Sequence, residues 1–258
     1  SVVLLFAGFG LNAVLAAAVA GRVISCLVGF ELLRRMQLRI PLRIHRDLLA
    51  SFAGAAPTFL LISIFATLYW RIDVFMLSAL RPVEDVGYYG AAYRLLELAM
   101  VVPQSFCLAL YPQMAQASRT EPLALAALSR TALRYLAAIT LPVALCTMLL
   151  ANPLLAMLYG AEFRAAGPTL AVLIWTIVPY AWVRYHAYVL VAADRQRNDL
   201  LLNIVMSIAN ITLNLALIPP LGMLGSAIAT AAAYGITCVL LAAAAQQHLE
   251  ISFYWGYL

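Results

Sequence analysis

The chain has 258 residues, is 65% hydrophobic and 10% charged, and carries a formal net charge of +5 in which every basic residue except His is Arg. A mean hydropathy of +0.94 lies outside the range of soluble domains and excludes a water-exposed fold. The arginines are dispersed rather than clustered, so the positive charge implies no nucleic-acid partner and is better explained by orientation in a membrane.

Apolar runs recur at or above the ~20 residues that cross a bilayer. Backbone groups there find no water, so the runs must be helices or a closed barrel, and continuous apolarity without period-two alternation selects helices. The sequence therefore predicts an all-α polytopic transmembrane helix bundle of about seven spans: 2–33, 48–80, 86–114, 133–157, 169–193, 200–218 and 221–245. Ser1 opens inside an apolar run, as expected of a piece of a longer chain.

The first span carries Arg22 and ends in a basic segment, Arg34, Arg35, Arg39, Arg43 and Arg46, that alternates with apolar residues. That segment reads as a cytoplasmic loop or as an amphipathic strap on anionic headgroups. Arg119, Arg130 and Arg134 mark the third connection and Arg195 and Arg197 the fifth, whereas the intervening connections hold Arg81 and Arg164 alone. The positive-inside rule then places the N-terminus outside and the C-terminal tail in the cytoplasm.

The second and third spans meet at Arg81-Pro-Val-Glu-Asp85 and carry Arg71, Asp73, Arg94 and Glu97. Folded as antiparallel helices about that five-residue turn, they bring Asp73 level with Arg94 and Arg71 roughly level with Glu97. A charge at a helix centre in the bilayer costs roughly 2.5–3.5 kcal/mol, so such groups line a polar path or pair with one another. Arg71 and Asp73 are about 200° apart around one helix and cannot face each other, while Arg94 and Glu97, three apart, can pair within their own. Two readings follow. The four form a neutral clasp, or, with Arg22 and Arg184 in other spans, they leave a cationic excess suited to an anionic passenger, whose oxygens guanidinium groups grip bidentately.

The remaining polar residues read as structure. Cys26, Cys107, Cys146 and Cys238 sit singly in apolar runs as small core residues, and no metal-ligand spacing appears. His186 beside Arg184 is a packing or interhelical hydrogen-bonding residue. Asn203, Asn210 and Asn214, with Gly222, Gly225, Ser226 and Ala229 after Pro219-Pro220, are residues that join helices closely. There is no catalytic motif and no sign of a cofactor, so an enzyme is not expected.

Six stretches in order resemble the polysaccharide-transport flippases of the multidrug/oligosaccharidyl-lipid/polysaccharide exporter superfamily. They begin with Tyr69-Trp-Arg-Ile-Asp-Val-Phe-Met-Leu77, Val86-Gly-Tyr-Tyr-Gly-Ala-Ala-Tyr93 and Leu110-Tyr-Pro112. Tyr159-Gly-Ala-Glu-Phe163, Asn210-Ile-Thr-Leu-Asn-Leu-Ala-Leu-Ile-Pro219 and Gly222-Met-Leu-Gly-Ser-Ala-Ile-Ala-Thr230 complete the set.

The resemblance implies a last helix of a first lobe and a basic loop in 1–47, a six-helix second lobe in 48–247, and a cytoplasmic tail in 248–258. It further implies a multi-pass protein of a bacterial inner membrane that moves lipid-linked oligosaccharide, with a polymerase and glycosyltransferases as associated proteins. By motif, Arg71 and Arg94 become candidate contacts to the diphosphate headgroup, and Asp73 a coupling or charge-pairing residue. Arg184 and Arg22 join the headgroup contacts on charge and depth, and Glu97 joins Asp73 as a coupling or charge-pairing residue. The competing expectations are a multidrug or cation antiporter of the same superfamily and a non-transporting scaffold in a polysaccharide-assembly complex.

Overall fold

The computed structural model describes residues 11–35, 46–120, 122–193 and 195–248, all in helices and short links. The chain divides into two compact units, residues 1–52 and 53–258. In the first, α1 (Leu11–Arg35) ends with Arg34 and Arg35 both bonded to Glu31, at 3.3 and 3.2 Å. Cations suit that end, where the last carbonyls of the helix leave a partial negative charge. The basic segment 36–45 lies outside the described residues.

The second unit begins within α2 (Arg46–Leu80), which bends by 41° between Phe65 and Trp70. Arg81 closes α2 through its backbone N–H to the Leu77 carbonyl, and Pro82 stands directly before α3 (Val83–Thr120). Glu84 and Asp85 then occupy the first turn of α3, where acidic side chains complement the exposed N–H groups. The turn between the two helices is thus two residues, not five.

The third connection also differs from expectation. One residue separates α3 from α4 (Pro122–Leu149), so Arg119 and Arg130 are helical rather than in a loop, and Arg134 lies inside a helix that starts earlier than 133. Ala and Leu dominate 123–133, and such residues propagate a helix beyond the bilayer when nothing breaks it.

After Leu150 the chain shortens its elements: α5 (Ala151–Tyr159), a 3-10 segment (Ala161–Ala166), α6 (Gly167–Leu173), a 3-10 turn (Ile174–Thr176) and α7 (Ile177–Ala192). The Asn152 side chain lies over Gly167 so closely that a Cβ there would fall 1.6 Å from its Oδ1, which fixes α5 against α6. The fifth span therefore starts near Ala161 instead of 169 and is interrupted.

The last helical stretch, α8 (Gln196–His248), breaks at Gly222, where φ is 58° and ψ −135°. Ser226 Oγ donates to Asn214 Oδ1 at 3.0 Å. Twelve residues of straight helix would hold those positions about 18 Å apart, so the arms 196–221 and 223–248 fold back on each other as a hairpin.

Side chains other than glycine rarely adopt the Gly222 conformation, and a Cβ there would meet the Arg81 guanidinium at 2.9 Å. Gly222→Ala is expected to lower stability by about 1–3 kcal/mol. In thermal melts of the detergent-solubilised protein, adding Arg81→Ala restores little of the loss, because the backbone strain persists.

Within this unit α3 packs on α4, α6 and α7, and α7 also packs on α8. One core gathers Leu77, Tyr89, Leu96, Leu170, Ile177 and Ile218; another gathers Cys107, Met114, Leu136, Tyr185 and Val189. Tyr180 bonds Gln104, and Tyr188 meets Tyr111 ring to ring, so α3 and α7 run parallel. Among the described residues, four helices are long and apolar enough to cross a membrane, and five when the bent α2 is counted as one span. The fourth of these, Gln196–Leu241, contains the Gly222 hairpin.

Candidate functional site

Arg71 and Arg94 converge on one carboxylate. Arg71 Nη2 lies 3.2 Å from Glu97 Oε1, and Arg94 Nη1 lies 3.7 Å from Glu97 Oε2. Two guanidinium groups on a single acid leave the cluster with one net positive charge. The Arg71 and Arg94 side chains are 45% and 70% exposed and Glu97 only 20%, so the acid is set back and the donors stand forward. Arg71 is nine residues from the end of α2 and Arg94 eleven from the start of α3, or about 14 and 17 Å at 1.5 Å per residue. Both arginines therefore stand about two and a half to three turns inside their helices, away from the connection.

Asp73 turns the opposite way, into the core, where its residue is 1% exposed. Asp73 accepts a hydrogen bond from the Tyr89 hydroxyl at 2.5 Å and another from the Val74 N–H at 2.8 Å. One turn along α3, the Tyr93 hydroxyl donates to the Trp70 carbonyl at 3.1 Å. Arg71 thus stands between two tyrosine attachments of α2 to α3.

The expected level of Asp73 with Arg94 is corrected by these contacts. A two-residue turn puts the pivot near 81–82, which pairs 73 with 89 and 70 with 93. The long Arg71 side chain still reaches Glu97 from this register. Sequence reasoning missed Tyr89. The signal was available in its equal spacing with Asp73 from residue 81, but the turn had been taken as longer.

The polar contacts continue past Tyr89. Ser226 lies beside the same hydroxyl and donates to Asn214, whose Nδ2 donates to Asn210 Oδ1 at 3.0 Å. Asp73, Tyr89, Ser226, Asn214 and Asn210 are all at most 1% exposed. They form one buried polar chain across α2, α3 and both arms of α8. Ser226 and the asparagines thus join helices, as their residue types imply.

Arg184 is not brought to the Arg71 cluster. The Tyr180–Gln104 and Tyr188–Tyr111 pairs place it level with about residue 107 of α3. That is ten residues past Glu97, or about 15 Å. There the Arg184 guanidinium lies 5.3 Å from the centre of the Tyr188 ring and within electrostatic range of Asp199. Arg22 is exposed on α1, in the other unit. His186 is buried, with Nδ1 2.8 Å from the Trp182 carbonyl. Among the described residues no group of three or more His, Cys, Asp or Glu could hold a metal ion.

Apolar membrane-length helices and a hairpin closed by small residues define an integral membrane protein built as an all-helical bundle. The solved structure titled "Outward-facing conformation of a multidrug resistance MATE family transporter of the MOP superfamily" is similar in fold. Its TM-score is 0.63 at 16% identity, over 78% of this chain and 45% of that one.

The sequence profile of the family described as "Polysaccharide biosynthesis protein" matches residues 1–168, and the chain belongs to that family. Among curated proteins, the "Probable low-salt glycan biosynthesis flippase Agl15" of Haloferax volcanii is 21% identical over 189 residues, 73% of this chain and 40% of that protein. The chain thus spans less than half the length of both relatives.

Proposed function

We propose that the protein translocates a polyprenyl-diphosphate-linked oligosaccharide across a bacterial plasma membrane for surface polysaccharide assembly. The observation that carries this reading is the exposed pair of arginines sharing Glu97, well inside two apolar helices. Guanidinium groups bind phosphate oxygens bidentately, and an anionic headgroup meets a cluster with one charge to spare. Glu97 keeps the two cations together when the site is empty and competes with cargo for the same donors. That competition favours release as well as capture.

In this reading residues 48–247 form one of two lobes that rock about the site, while the polyprenyl tail stays in lipid. Arg184, about 15 Å further along the bundle, meets the headgroup at one end of its path. Arg22, in the first unit, is a further candidate for contact with an anionic cargo. Asp73, joined to α3 and α8, couples an ion gradient to the motion. Polysaccharide polymerase and glycosyltransferases supply and consume the cargo. The family to which the chain belongs and the printed activity of the Haloferax volcanii relative support this direction.

The test uses the full-length protein with Arg71→Gln and Arg94→Gln combined. Appearance of lipid-linked glycan in the outer leaflet is expected to fall at least about tenfold at unchanged protein level, since hydrogen bonds to charged groups contribute about 1.5–3 kcal/mol each. Undiminished export by that variant would reject the assignment. Competition by cationic dyes but not by lipid diphosphates would point instead to a drug exporter.

A further inference from the structure

Arg130 and Arg134 stand one turn apart on α4, both exposed. Side chains four residues apart on a helix are neighbours, about 6 Å between Cβ atoms, so two like charges there repel unless something anionic lies between them. Among the described residues, no acidic side chain pairs with either.

Below them the same helix presents only uncharged residues from Tyr135 to Leu149. Leu141, Leu145 and Leu149 are 45, 46 and 70% exposed and, at four-residue spacing starting seven residues after Arg134, form an apolar track along the helix. Counting back from Leu149 the ~20 residues that cross a hydrocarbon core ends at Arg130. Arg130 therefore sits at the headgroup boundary and Arg134 about 6 Å inside it, within reach of that boundary for a side chain of this length. Tyr135 beside them has the amphipathic ring that settles at this depth.

We propose that this face of α4 is a docking site for an anionic phospholipid. The headgroup phosphate bridges Arg130 and Arg134, and an acyl chain lies along Leu141 and Leu145. Charge complementarity selects an anion, and the apolar track continuous with the cationic pair selects one attached to a lipid tail. The site lies on α4, apart from the Arg71–Glu97–Arg94 cluster of α2 and α3, and does not depend on the cargo proposed for that cluster.

The experiment places the full-length protein in nanodiscs of phosphatidylcholine, alone or mixed equally with phosphatidylglycerol, and reads retained lipid by native mass spectrometry alongside the melting temperature. Wild type is expected to retain phosphatidylglycerol selectively and to melt higher in the mixture. R130Q/R134Q should retain roughly thirtyfold less, the factor two near-surface arginines supply. R130K/R134K, which keeps charge but not the planar fork, should fall between the two. Millimolar inorganic phosphate in pure phosphatidylcholine discs should leave the melting temperature unchanged. Equal retention by R130Q/R134Q, equal retention of phosphatidylcholine, or the same stabilisation by free phosphate would overturn the proposal. Displacement of the bound lipid by a soluble lipid-diphosphate competitor would also overturn it, by assigning the site to cargo.

Discussion

Gly225→Leu is expected to abolish the folded protein. A Cβ at Gly225 would sit 2.1 Å from the Leu217 carbonyl oxygen and 2.5 Å from its carbon, and both are backbone atoms. A flexible side chain could swing away, but a backbone carbonyl in a helix cannot, so the two arms of α8 would have to part. Parting them breaks the Ser226–Asn214 bond and strands polar groups that are fully buried. Overpacking costs about 1–3 kcal/mol where the core can adjust, and each unsatisfied buried polar group adds about 1–3 kcal/mol. Together they approach the total stability of many domains. Size-exclusion chromatography of a fluorescent fusion should show aggregate in place of a monodisperse peak. A monodisperse peak with an unchanged melting temperature would mean that the arms are not packed as described.

Tyr89→Phe is expected to have the next largest effect, a loss of about 1–3 kcal/mol, because it removes a donor from a carboxyl group that has no access to water. Asp73→Asn should cost less, since its amide oxygen still accepts from Tyr89. The double variant separates contact from packing. If the hydroxyl acts through Asp73, the losses in Tyr89→Phe and Asp73→Ala, which removes the acceptor outright, do not add, and melting temperatures for the four proteins of the cycle report the difference. An unchanged melting temperature in Tyr89→Phe would mean that residue 89 acts through its ring alone, by packing on Tyr93 at 5.7 Å.

The helical membrane fold was legible because apolar runs of this length admit few structures, and the Gly222 break was marked by Pro219 and Pro220 before it. Helix ends were harder to place. Residues 123–133 are Ala- and Leu-rich with two or three polar positions, and hydropathy alone does not distinguish a helix extending past the bilayer from a loop.

The same limit governed the site. Counting from a turn finds partners only as accurately as the turn is known, and three residues of error moved Asp73 from Tyr89 to Arg94. Arg71 and Glu97 were less sensitive, because a long guanidinium side chain tolerates such an offset. Arg184 was grouped with the others on charge, which carries no information about position along the bundle axis. Its level emerges only from the Tyr180 and Tyr188 contacts with α3.

The chain of side chains from Asp73 through Tyr89 and Ser226 to Asn210 has a mechanical consequence. Polar links inside an apolar interior stiffen what they join, because sliding any one helix would break bonds that nothing nearby can replace. The neighbourhood of α2, α3 and the α8 hairpin therefore behaves as a lever and not as a spring. A tilt imposed at the Arg81–Gly222 end is carried through these bonds toward Arg71.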